Sequence, residues 1–288
     1  MILGHKTQIE ILEKILNQKK NNFGFLFVGP EGIGKKTVAL HFFEKILGKN
    51  PLFHPDFFFL KPEDGKKILI EKIKEELIPF LSLKPFNAPF KCVLINDAHL
   101  MTSEGQQALL KTLEEPKGKT LIIAVSHLPE LLFPTFRSRL QKIVFFQPTK
   151  KEIESYLNKM NIEKTLLNEI LEFSFLKPSF IFQFLENREK LKEKKEEIFK
   201  LVKILKMPLF ERFIFAKELS KKENLKETLG LWIFYFRKLA LKEIEKNSIS
   251  ERLLKITEVL SQLDDLTFLI SFDKINKQLA LETFFLKV

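Results

Sequence analysis

A single cysteine, Cys92, stands in this chain of 288 residues. One thiol permits no internal disulfide and no cysteine-cluster zinc site, and it fits a reducing compartment. Cys92 lies inside an apolar run, where a buried core residue is expected. The five histidines lie far apart along the chain and show no paired ligand spacing. No apolar stretch approaches the ~20 residues a membrane helix needs, and the first residues lack the organisation of a signal peptide. A soluble, cytoplasmic protein with no membrane partner is therefore expected. Tryptophan and tyrosine are scarce, at one and two, against 31 phenylalanines. That imbalance reads as core filling under an AT-rich coding bias and says little about function.

Acidic residues are in deficit, and the formal net charge is +11. Such a balance favours polyanionic partners such as nucleic acid. The lysines are interleaved with glutamates, however, as in 188–200, so solvated helix faces account for most of them.

The first half alternates short apolar runs with helical patterns. Strands are expected at 23–28, 56–60, 91–96, 119–125 and 142–146, with helices at 35–47, 67–81 and 103–115 between them. All-apolar strands alternating with helices predict a parallel five-stranded sheet covered on both faces. After Pro148 the strand signals stop. Thr149 with Glu152 three residues on has the pattern of a capping box, and Lys177-Pro178 marks a helix junction. From there the apolar spacing is helical to Val288. The expected domains are an α/β core over 1–147, a small helical domain over 148–188 and a larger all-α domain over 189–288.

Chemistry concentrates between the first strand and its helix. Residues 29–35, Gly-Pro-Glu-Gly-Ile-Gly-Lys, fit the first seven positions of a phosphate-binding P-loop, with Gly29, Gly32, Gly34 and Lys35 at its defining places. Glycines let backbone N–H groups approach phosphate oxygens, and the lysine reaches the β- and γ-phosphates. The following helix start adds an anion site. The eighth position, normally the Ser or Thr that binds magnesium, is Lys36, and Thr37 comes one residue late. One residue on a helix rotates that hydroxyl by about 100°. ATP is the ligand this loop suggests, held weakly or vestigially, and magnesium is not expected to be well held. At the end of the 91–96 strand, Asn96 replaces the aspartate of a magnesium shell, while Asp97 keeps the place of the catalytic acid.

The stretch after Asp97 is the most diagnostic. Asp97-Ala98-His99-Leu100-Met101, then QALLKTLEEP over 107–116, then Arg137-Ser138-Arg139-Leu140, follow one another in order. Together they resemble the clamp-loader branch of the AAA+ ATPases, with Leu140 in place of the cysteine of that branch's Ser-Arg-Cys motif. Within the branch, the degraded metal positions resemble delta-prime subunits. So do His54-Pro55-Asp56, Leu81-Ser82-Leu83-Lys84-Pro85 and the C-terminal NKQLALE over 276–282. The likeness spans 1–150 and the last fifteen residues; the helical region between is generic. Many relatives carry a four-cysteine zinc module after the P-loop, which this chain cannot build.

The resemblance implies an AAA+ core, a helical lid and a C-terminal collar that joins a five-subunit ring with gamma/tau and delta subunits. The ring would load a sliding clamp onto primer-template DNA. Arg139 matches the arginine that reaches a neighbouring subunit's ATP, Asp97 a vestigial catalytic acid, and Ser126 the sensor-1 polar residue. No arginine stands at the sensor-2 position near 177–180. Little intrinsic ATPase activity is expected. The alternative is an active motor, either gamma/tau-like or another AAA+ ATPase, which would turn over ATP with magnesium on its own.

Overall fold

The structure is a computed structural model that describes residues 2–16, 22–63, 66–222, 224–245, 250–270 and 275–288. The chain divides into two compact units, Met1–Gln183 and Phe184–Val288.

In the first unit the elements run α1 (Lys6–Leu16), β1 (Asn22–Val28), α2 (Lys35–Leu47), β2 (Phe57–Leu60), α3 (Ile70–Lys72), α4 (Ile78–Ser82) and β3 (Lys91–Ile95). They continue through α5 (Ser103–Glu114), β4 (Thr120–Ser126), α6 (Pro134–Ser138) and β5 (Gln141–Val144). The strands form one five-stranded sheet of order β2-β3-β4-β1-β5, parallel throughout. The expected α/β sheet is present, and its strands are apolar on both faces for the expected reason. Phe25, Phe27, Cys92, Leu94, Leu121 and Ile123 point into one core. Their strand neighbours Leu26, Val28, Val93, Ile95, Ile122 and Ala124 point into the other. Period-two alternation fills both layers at once.

Two local details depart from the sequence reading. The crossover helix begins at Ile70 and widens into a π turn over Ile73–Leu77 before α4. Pro79 has no N–H for the Glu75 carbonyl four residues back, so the regular ladder fails there. The last strand is shifted to Gln141–Val144, because it pairs with β1 only as far as Val28↔Val144. Leu140, just before it, packs over Gly24 so closely that a Cβ there would lie 2.7 Å from its methyl group.

Helices α7 (Lys150–Asn158), α8 (Lys164–Phe173) and α9 (Pro178–Glu186) follow. The capping box at the start of α7 is formed, Thr149 Oγ1 accepting from the Glu152 N–H and Glu152 accepting from the Thr149 N–H. Proline opens α9 at N1, where its missing N–H costs nothing.

The second unit holds α10 (Arg188–Ile204), α11 (Leu209–Ser220), α12 (Leu225–Ile244), α13 (Glu251–Ile270) and α14 (Lys277–Lys287), with no strand among its described residues. Trp232 is its buried centre, with the Phe215 and Phe285 rings 6.3 and 6.5 Å away. Arg212 fastens the ends of its neighbours by donating to the carbonyls of Leu205, Met207 and Phe285. Neither unit has, among the described residues, a helix long and apolar enough to cross a membrane.

Candidate functional site

The C-terminal ends of β1, β3 and β4 converge, and open parallel sheets bind ligands at that edge. Gly29 takes φ 146° where a side chain would run into the Phe145 carbonyl, and Gly32 takes φ 79°. These two glycines let the loop turn tightly off β1. α2 then starts from Gly34 with no side-chain cap, which leaves its first N–H groups free of a competing side-chain acceptor. Lys35 is buried, and its Nζ donates to the carbonyls of Gly29 and Pro30, both at 2.6 Å. Burial draws its pKa down to about 8, with Asp97 and Glu31 pulling the other way.

Lys36 is exposed and its ammonium lies 6.0 Å from the Phe59 ring centroid, at the end of β2. Thr37, also exposed, faces the cleft. That cleft, of about 270 Å³, is bounded by Gly32–Thr37 of the loop, by Asn96 and Asp97, and by His127. α9 closes it from above: the Ser179 N–H donates to the Gly32 carbonyl at 3.0 Å, and Pro178 and Phe182 complete the wall. On the other side His5, buried, uses its Nε2–H to bond the Ile33 carbonyl at 2.7 Å. A larger open groove of about 1210 Å³ adjoins, lined by Gly4, Thr37, His41, Pro148 and Tyr156 among others.

Asp97 follows β3 in the left-handed conformation, φ 52°, which aspartate tolerates better than most residues. Asn96 donates its side-chain N–H to Asp97 Oδ2 at 2.7 Å. Burial raises the Asp97 carboxyl above its usual range; His127 opposes that rise, Glu31 adds to it, and Lys35 and Lys36 oppose it. Ser126, the last residue of β4, is fully buried; its Oγ meets His99 Nδ1 at 3.3 Å and accepts from the Leu128 N–H. It does not line the cleft, whereas the next residue, His127, does. Burial, then the charges of His127 and Lys35, hold His99 down at about 4, so its imidazole is neutral at physiological pH. The loop lysine, the Asn96–Asp97 pair and Thr37 thus come together; Ser126 stands behind them. Sequence reading missed His127, His5 and Ser179, since no short motif marks them.

Arg139 lies elsewhere. It caps the C-terminus of α6, donates from Nη1 to the Thr135 carbonyl at 2.5 Å and pairs through Nη2 with Glu114 at the end of α5. Its Nε–H is buried without a partner. Arg139 is not among the residues that line the phosphate cleft.

A P-loop at the switch point of a five-stranded parallel sheet, with a helical segment lying on the loop, defines an AAA+ domain. The chain belongs to the family described as DNA polymerase III, delta subunit, whose sequence profile matches residues 4–149. It is 34% identical over 133 residues to DNA polymerase III subunit delta′ of Pseudomonas aeruginosa, covering 40% of either chain. It is also 34% identical over 154 residues to a replication factor C small subunit of Sulfolobus acidocaldarius, covering 52% of this chain and 45% of that one. The match spans less than half the length of either curated relative. In fold it is similar to a DNA polymerase III gamma subunit-related protein of Thermotoga maritima, with a TM-score of 0.60 over 97% of both chains at 22% identity.

Proposed function

We propose that this protein is a largely non-hydrolysing, delta-prime-like clamp-loader subunit that supplies Arg139 in trans to the ATP site of a neighbouring subunit. The observation that carries the reading is the position of Arg139: its guanidinium sits at the α5–α6 edge on Glu114 and Thr135, apart from the lining of the chain's own cleft. A planar, permanently charged guanidinium stabilises charge on a transferring phosphoryl group. The chain's own cleft is poorly equipped for magnesium, since Lys36 cannot ligate a cation and Asn96 is a neutral amide. ATP is bound there weakly or not at all.

The partners under this reading are gamma/tau and delta subunits in a five-membered ring in the cytoplasm, and through the ring the sliding clamp and primer-template DNA. The second unit is the assembly collar. Phe199, Phe210 and Phe268 are exposed on its surface.

The test is ATP turnover and clamp loading in the reconstituted loader. Arg139→Ala leaves assembly intact and lowers DNA- and clamp-stimulated hydrolysis. An arginine finger contributes roughly 10³–10⁵ in rate to the site it serves, and the bulk loss is smaller because other sites keep their own arginines. Arg139→Lys rescues only in part, because an ammonium lacks the fork of donors. Wild-type rates for Arg139→Ala in an intact complex overturn the trans role. Magnesium-dependent turnover by the isolated chain that is lost in Lys35→Ala favours the motor alternative.

A further inference from the structure

The ends of β3 and β4 bring together three side chains that the sequence separates. In parallel register Ile95 faces Ala124, so the residues just beyond, Asp97 and His99 on one strand end and His127 on the other, converge. One ligand atom from each lies within 4.8 Å of the others. The imidazoles of His99 and His127 meet edge-to-face with centroids 4.2 Å apart, and His127 Nδ1 is 3.9 Å from Asp97 Oδ1.

We propose that Asp97, His99 and His127 form a binding site for a divalent transition-metal ion of the zinc class. Metal–ligand bonds of ~2.0–2.2 Å in a tetrahedral site put donors about 3.4 Å apart. The observed spacing therefore closes onto a metal with side-chain shifts of under about one ångström. Two imidazoles and one carboxylate suit Zn2+, Co2+ or Ni2+, whereas magnesium prefers an all-oxygen octahedron.

The outer contacts match what ligands to a metal require. Ser126 Oγ at His99 Nδ1 orients the imidazole. The Asn96 amide holds Asp97 Oδ2, which leaves Oδ1 on the His127 side. The position that weakens a magnesium shell thus becomes a carboxylate-orienting donor.

The competing explanation is a packed histidine pair with a loose acid–imidazole contact. It leaves the Asp97 carboxylate without a direct cationic partner other than that imidazole. Among the described residues no lysine or arginine pairs with Asp97, and the nearby Lys35 gives two of its three donors to loop carbonyls. Asp97 and His127 both line the cleft beside the phosphate loop, so an ion has a route in.

The experiment uses the full chain, stripped with a chelator and desalted, then titrated with Zn2+ by calorimetry and with Co2+ by visible absorption. One equivalent binds, with cobalt bands of a low-coordinate nitrogen–oxygen site, and excess Mg2+ does not compete. His127→Ala and Asp97→Asn each lower the affinity at least about tenfold, since even outer contacts to metal ligands are worth ~10–100-fold. His41→Ala, a half-buried histidine outside the cluster, changes nothing. The isosteric Asp97→Asn keeps the test valid if His127→Ala unfolds. Absence of stoichiometric binding by the wild type overturns the site, as does equal affinity in wild type and both variants. Because the readout is metal affinity of the isolated chain, the result stands or falls separately from the role of Arg139.

Discussion

Asp56 and Asp97 sit at opposite ends of the neighbouring strands β2 and β3, one just before its strand and the other just after. Asp56 is fully buried and fully answered. It pairs with the buried Lys91 at 2.8 Å and accepts the N–H groups of Phe86, Asn87 and Ala88 at 2.7, 3.0 and 3.1 Å. Lys91 in turn lies 4.4 Å from the Phe80 ring centroid. Burial alone would raise the Asp56 carboxyl, but Lys91 and the three N–H groups overcome it and hold the group far below its usual range. Asp97 has one amide and one imidazole at a distance, and burial drives its carboxyl the other way. The N-terminal edge of the sheet uses its aspartate to fasten a loop. The C-terminal edge leaves its aspartate with no lysine or arginine ion pair among the described residues, only an amide donor and a distant imidazole.

The largest effect that separates the two is on stability. Asp56→Ala strands the Lys91 ammonium in the interior and leaves three loop N–H groups without their acceptor. Breaking a buried pair from one side costs about 3–5 kcal/mol, and chemical denaturation of the first unit's sheet should show a loss of that order. A loss under about 1 kcal/mol would mean that the pair is replaced by water.

Acid provides the next test. A carboxyl with a depressed folded pKa contributes stability that is present above its unfolded value, near 4, and is lost as pH falls toward the folded one. The wild type therefore loses stability steeply below about pH 4, and Asp56→Asn flattens that slope. Equal acid profiles for the two proteins would remove Asp56 from the account.

The smallest effect belongs to the other aspartate. In metal-free protein Asp97→Asn removes a partly buried charge with no close cation, and the melting temperature should stay level or rise slightly. A marked fall would show that the His127 contact stabilises the fold and would narrow the contrast with Asp56.

The short-range features of this chain are legible in its residue order. The capping box of Thr149 and Glu152, the helix 35–47 after the glycines and the proline start of α9 each depend on residues within one turn of each other. Strand ends are less legible, since β5 stops where its pairing with β1 stops rather than where its apolar run does. Ser126 and His127 show the same limit. Both are polar groups at one strand end, and only the fold assigns one to His99 and the other to the cleft.

By itself the amino-acid order determined the two-faced apolar strands, the phosphate loop and the helical second half, because periodicity and turn chemistry act over a few residues. The tertiary structure decided the strand order β2-β3-β4-β1-β5, the pairing of Arg139 with Glu114 and the meeting of Asp97, His99 and His127. Those contacts join residues far apart in the chain, and no local pattern encodes which strand lies beside which. Burial of the apolar faces selects that arrangement, and the chemistry at the strand ends follows from it.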